Sequence, residues 1–176
     1  MVTAFGDIGN WPDHFNPIGD LAVERHFLHL TVAAIVVYQN RFLLVEELDK
    51  SSGVRVLNQP AGHMEADEDV VTAVCRELYE ETGLRLSPCG WLGLSQLVTA
   101  ASHRYVRINF VFQLNELPPP HSPQDADILA LHWLSATELA AQPLPLRSPL
   151  VQHAIERYQT QPLLPLDLID DVVYLR

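Results

Sequence analysis

Residues 62 to 84, GHMEADEDVVTAVCRELYEETGL, constrain this chain more than any other stretch. The pattern predicts a loop feeding a helix from about Glu68 to Thr82, with Gly83 where a left-handed residue stops a helix. At 100° per residue, Val70, Val71, Val74, Cys75 and Leu78 fall within an arc of about 140°, an ordinary buried stripe. Glu77, Glu80 and Glu81 occupy an adjoining arc of about 100°, so three carboxylates border the core instead of lying opposite it. Like charges three or four residues apart destabilise an exposed helix by about 0.2–0.5 kcal/mol per pair, and by more when partly buried. Arg76 is the one cation between Glu68 and Thr82. The helix is therefore either an acidic surface helix or an oxygen-rich platform for a hard divalent ion, Mg²⁺ or Mn²⁺, whose charge offsets the repulsion. An EF-hand is excluded: Glu65, Asp67 and Asp69 alternate, but Val70 stands where that loop requires Gly.

The flanking segments supply a sheet. HLTVAAIVVYQ (29 to 39) is β-branched and nearly continuous, as in a strand buried on both faces, and a turn at Asn40-Arg41 leads into FLLVEEL (42 to 48). Asp49 to Gly53 is a polar loop, RVLNQP a short strand and AGHMEAD a loop into the helix. WLGLSQLVTA, YVRINFVFQL and ILALHWL are further strands, the last two separated by PPPHSPQ. Ser135 opens a capping box with Glu138, and Ser148-Pro149 starts another helix, through about Tyr158, with Ser as N-cap. Residues 1–26 mix Gly, Pro, Asn and Asp with isolated aromatics and are expected to be an irregular extension before one domain over 27–176. The expected class is α/β (α+β): a mixed β-sheet with one central and two late helices.

A chain of 176 residues buries enough surface for one compact domain without disulfides. Its formal charge of -11, with eleven scattered Lys and Arg, argues against polymeric nucleic acid as a partner. A small anion is still acceptable where a divalent cation reverses the local field. Cys75 and Cys89 have no CxxC spacing, which suits a reduced cytoplasm. The start, with Asp7, Asp13 and Asp20, reads as neither signal peptide nor membrane span.

Gly62, five residues, Glu68, seven residues, then Arg76-Glu77-Leu78-Tyr79-Glu80-Glu81-Thr82-Gly83-Leu84 resembles the Nudix signature at all nine of its fixed positions. LTVAAIVV, LNQPAGH, YVRINFVFQL, Trp133-Leu134-Ser135 and LRSPLVQ extend the likeness, toward small bacterial phosphatases of that family, over about residues 29 to 170. One departure is Leu57, where many members carry an aromatic residue. The resemblance implies an α/β/α sandwich and metal-assisted, in-line attack of water on a diphosphate, with Mg²⁺ (or Mn²⁺) as cofactor. By the same resemblance Glu80 and Glu81 match the main metal ligands, and Glu77 a ligand or base.

Beside these, Arg76 is expected to orient the carboxylates through bidentate bonds. Glu68 is expected to fix the loop onto the helix start, and Gly62 and Ala61 to let the backbone turn beside the metal, with a carbonyl there as a further ligand. Asp125 and Asp127 are candidates for an acid reaching back from a distant loop, each also readable as a turn aspartate, so Glu77 stands first as general base. Arg107 is the candidate for gripping phosphate if its strand points it inward; Arg55, Arg104 and Lys50 are alternatives, and His63 and His103 are open. No spacing suggests a covalent nucleophile.

The expectation is an Mg²⁺-dependent phosphohydrolase of nucleoside tri- and diphosphates or related small pyrophosphates. The family resemblance implies orthophosphate release and extends to hydroxymethylpyrimidine pyrophosphate. The rivals are an ADP-ribose or nucleotide-sugar pyrophosphatase and a catalytically silent ligand sensor. Either way the partner is a small phosphorylated molecule, not a membrane, and the chain is a monomer or homodimer.

Overall fold

The computed structural model describes residues 28–170; the expected extension over residues 1–26 lies outside them. Strand β1 (Leu28–Tyr38) turns into β2 (Arg41–Leu48) through Gln39 and Asn40, whose φ angles of 46° and 62° match the twist of a two-residue hairpin. The turn thus sits one residue earlier than expected. β1 and β2 pair only at Val37–Phe42 and Tyr38–Arg41 and then diverge. β3 (Arg55–Asn58) pairs antiparallel with β2, and the next segment, β4 (Ala61–His63), pairs antiparallel with β1. Ala61–His63 was expected to be loop; its backbone instead completes the free edge of β1 opposite Thr31–Ala33.

β5 (Gly90–Val98) pairs antiparallel with β6 (Arg104–Leu114), and β6 runs parallel to β1 along all eleven rungs from Leu28–Arg104 to Tyr38–Leu114. β7 (Ile128–Ser135) pairs with the other edge of β2. The mixed sheet is therefore two half-sheets, β4-β1-β6-β5 and β7-β2-β3, hinged at the hairpin and splayed into a wedge. Gln59 and Pro60 cross the wedge, and Pro60 accepts a backbone bond from Ala34 N at 2.8 Å.

Helix α1 (Val70–Thr82) covers one face, where Val74 and Leu78 pack on Val32, Ala34, Leu43, Phe110 and Phe112. α2 (Ala136–Ala141) and α3 (Pro149–Thr160) cover the other, where Val151, Ala154 and Ile155 meet Ile35, Leu44, Leu57 and Val111. Each such large apolar side chain contributes about 1.5–3 kcal/mol on burial. This is the expected α/β/α sandwich. Leu57, 1% exposed, belongs to the core under α3. The capping box of Ser135 and Glu138 forms as expected; Ser148 occupies the N-cap position of α3, but its hydroxyl makes no capping bond, and α3 runs two residues past Tyr158. Among the described residues no helix is long and apolar enough to cross a membrane.

Candidate active site

α1 starts at Val70, two residues later than expected, because Asp69 caps it: Oδ1 accepts from Val71 N and Thr72 N, each at 2.8 Å. That leaves Glu68 outside the helix to do something else. It accepts from Glu65 N at 2.8 Å and takes a fork from Arg76, with Nε at 2.9 Å and Nη2 at 2.7 Å. Arg76 Nη1 donates to Glu77 at 2.9 Å and Glu80 at 3.0 Å, and Nη2 to the His63 carbonyl at 3.0 Å. One guanidinium therefore ties three carboxylates to the end of β4. These bonds hold the Glu68 carboxyl below its usual range and the Arg76 guanidinium above its own.

Glu77 and Glu81 lie deeper than a bordering arc suggests, at 9% and 8% exposed. Ala61 N donates to Glu81 Oε2 at 3.0 Å. Burial nevertheless pushes the Glu81 carboxyl up to about 9; that backbone bond opposes the rise, and the charges of Glu77, Glu47 and Asp125 add to it. Burial also raises Glu77, against the pull of Arg76. Gly62 is required here for space: a Cβ would collide with the Glu77 carboxylate. At the far end Gly83, with φ of 77°, ends α1, and Gln124 N and Asp125 N donate to Glu80 O at 2.7 and 2.9 Å, which draws the 122–125 loop against the helix.

The other sequence candidates separate. Asp125 is close enough for its charge to act on Glu81, although its own Oδ1 also accepts from Asp127 N at 2.8 Å. Asp127 is paired with Lys50 at 2.9 Å on the surface. Arg55 pairs with Glu46 at 3.1 Å, a carboxylate that also meets His132 at 2.9 Å, and with none of the helix glutamates. His63 and His103 flank His29, at 3.2 and 3.4 Å. Arg107 points inward: burial lowers it to about 10, Arg147 pushes the same way, and Glu81 and Glu47 oppose. Asn58 and Gln59, buried with only 4% and 1% of their surface exposed, were missed, and nothing in LNQPAGH distinguishes them from loop polar residues. Asp69 was legible in principle, as an N-cap residue directly before the apolar stripe.

Among the described residues no three His, Cys, Asp or Glu side chains converge on one ion position, because Arg76 engages Glu77 and Glu80 while Ala61 N engages Glu81. The chemistry of the donors nonetheless fits a hard divalent cation: all are carboxylate or carbonyl oxygens, and burial raises the pKa of the Glu81 carboxyl, a cost that a nearby cation would offset.

A family model described as NUDIX domain matches residues 27–154. The chain is similar to the Escherichia coli protein named Phosphatase NudJ, 41% identical over 143 residues, covering 81% of this chain and 91% of that protein. It is similar in structure to a NUDIX hydrolase from Nitrosomonas europaea, with a TM-score of 0.75 and 33% identity over 83% of this chain and 98% of that one. The NUDIX domain of Shewanella oneidensis NrtR, solved in complex with ADP ribose, shares the fold at 16% identity and a TM-score of 0.61, covering 83% of this chain and 92% of that one.

Proposed function

The chain belongs to the NUDIX family and is a NUDIX hydrolase, and from that premise we propose an Mg²⁺-dependent phosphohydrolase acting on nucleoside tri- and diphosphates and related small pyrophosphates. NUDIX hydrolases generally use divalent metals. The observation that carries the reading is the Glu81 carboxyl, nearly buried and in no ion pair among the described residues, on one helix with Glu77 and Glu80. In this reading Glu77, Glu80, Glu81 and the Ala61 carbonyl hold Mg²⁺, with Mn²⁺ able to substitute. A divalent ion so bound would supply a water of lowered pKa and neutralise charge on the diphosphate.

The remaining roles belong to the chain itself. Arg76, anchored by Glu68, fixes the rotamers of Glu77 and Glu80, and Gly62 keeps the backbone clear of the Glu77 carboxylate. Glu77, raised by burial yet bonded to Arg76, is the first candidate to accept the proton of the attacking water, with Asp125 behind it. Arg107 is the candidate for the substrate phosphate; Arg55 and Asp127, engaged elsewhere, have less support. Similarity to Phosphatase NudJ supports orthophosphate release, with hydroxymethylpyrimidine pyrophosphate among the substrates to be tried. The free thiols of Cys75 and Cys89 support a cytoplasmic setting.

The fold shared with an ADP-ribose-bound domain keeps ADP-ribose or nucleotide-sugar cleavage, and silent sensing, as alternatives. A screen of phosphate and pyrophosphate release over nucleotides, sugar nucleotides and pyrimidine pyrophosphates separates them. Orthophosphate from triphosphates, lost on chelation and restored by Mg²⁺, is expected, and Glu81→Gln should lower turnover about 100- to 10,000-fold. Tight binding by the wild type with no turnover of any substrate would overturn the enzyme reading.

A further inference from the structure

The imidazoles of His29, His63 and His103 play no part in the carboxylate site, yet the sheet sets them in a row. Thr31 on β1 pairs with Arg107 of β6 on one side and with His63 of β4 on the other. His29, two residues before Thr31, therefore projects from the same face as both. Its own partner on β6 is Tyr105, and the two rings stack with centroids 4.5 Å apart and planes 15° apart, which restricts how the imidazole can turn. In that setting His29 Nδ1 lies 3.2 Å from His63 Nε2. His29 Nε2 lies 3.4 Å from Nδ1 of His103, which comes from the turn between β5 and β6. Residues far apart in the chain thus supply one exposed imidazole row.

Two ligand nitrogens of a tetrahedral ion, each about 2.0–2.1 Å from the metal, stand about 3.3–3.4 Å apart. The His29–His63 separation is close to that edge, and the ring centroids, 5.4 Å apart with planes at 65°, let the two imidazoles fan out around a common point instead of stacking. His103 supplies a further requirement. A ligating imidazole donates its other N–H to a fixed acceptor, which sets the tautomer. With its N–H on Nε2, facing His103 Nδ1, His29 turns the lone pair of Nδ1 toward His63. An ion then takes the place of the proton otherwise shared between Nδ1 and Nε2, and each ring stays neutral with one N–H. Imidazole nitrogen suits Zn²⁺, Ni²⁺ or Cu²⁺, not the hard Mg²⁺ of an all-oxygen set. Among the described residues no third His, Cys, Asp or Glu side chain reaches the same point, so the rest of the tetrahedron goes to water.

We propose that His29 and His63 form a second metal site, selective for a borderline divalent ion such as Zn²⁺ over Mg²⁺, with His103 orienting His29. The two sites are linked through one residue: the His63 carbonyl accepts from Arg76 Nη2 at 3.0 Å, and Arg76 also donates to Glu77 and Glu80. Zn²⁺ on the His63 imidazole therefore pins the end of β4 to which Arg76 is anchored.

The test is calorimetric titration of the full chain with Zn²⁺ in excess Mg²⁺, which keeps the hard-ion positions occupied. One Zn²⁺ per chain is expected. His29→Phe, which keeps a ring on Tyr105, and His63→Gln should each weaken binding roughly 100-fold or more, and His103→Phe about 10-fold. Glu81→Gln should leave it at the wild-type value. All three histidines make these contacts at the surface, so the variants should fold, which circular dichroism checks. Co²⁺ in place of Zn²⁺ gives a second readout: the visible bands of a four-coordinate nitrogen and oxygen site, absent in His29→Phe. The site is overturned if the wild type binds no Zn²⁺, if binding is unchanged in His29→Phe and His63→Gln, or if it is lost in Glu81→Gln. A sulfur-to-cobalt charge-transfer band would overturn it too, by putting the ion at a thiol of Cys75 or Cys89. None of these outcomes bears on the hydrolase reading, which the phosphate-release screen tests separately.

Discussion

Arg76 and Arg107 both lie near glutamates of α1, Arg76 bonded to Glu77 and Glu80 and Arg107 within reach of the Glu81 charge, and they are treated in opposite ways. Every nitrogen of Arg76 donates to a named oxygen: Glu68, Glu77, Glu80 and the His63 carbonyl share the fork. Arg107 has two nitrogens buried with no acceptor among the described residues, and burial lowers its pKa. A guanidinium whose bonds are complete has its interaction energy already committed to the fold. One whose bonds are missing is a cost to the fold, recovered when an acceptor arrives. The first arginine is a strut, the second a binding group in waiting.

Deleting each side chain gives the widest separation between the two. Arg76→Ala should cost roughly 3 kcal/mol of unfolding free energy, since it leaves three carboxylates facing one another without compensation. Arg107→Met should cost nothing measurable or stabilise the metal-free chain. Urea unfolding in EDTA reads both, and equal losses would erase the distinction.

The carboxylates sharpen it by pH. Glu81, pushed up to about 9 from an ordinary 4.5, keeps its proton in the fold over a range where the unfolded chain has released it. Metal-free stability should therefore decline as pH rises through that window, by up to about 1.4 kcal/mol per pH unit. Glu68, held below its ordinary value by Arg76, acts in the other sense: its contribution is present above the unfolded pKa and lost as pH falls through the folded one. Glu81→Gln should reduce that decline, leaving the part that the raised Glu77 supplies and the acid-side effect of Glu68 unchanged, and Mg²⁺ should flatten it. The smallest effect concerns the helix start on which Arg76 depends. Asp69→Ala should cost about 1 kcal/mol in the same unfolding assay.

The glutamate helix was legible because its chemistry is local: the apolar stripe, the Gly83 stop and the acids all lie within a few turns of one another. The sandwich followed from strand patterns strong enough to survive small boundary errors at Asn40 and Glu68. β4 was not legible, since three residues, Ala-Gly-His, have no period and exist as a strand only because β1 offers them an edge. The destination of Arg107 was equally hidden, because strand alternation gives a face but not what stands above it. Asn58 and Gln59 became notable only once a crossover buried them. What sequence lost was therefore the wedge, a feature made by two half-sheets diverging, which no single segment encodes.

The parallel pairing of β1 with β6 has a consequence for how the chain is made. Its rungs join Leu28 to Arg104 and Tyr38 to Leu114, so the middle of the sheet cannot close until more than a hundred residues have left the ribosome. Such high contact order implies slow folding, and until closure the nascent β1 presents an apolar, unpaired edge. During synthesis that edge is therefore the part of the sheet most open to pairing with another chain.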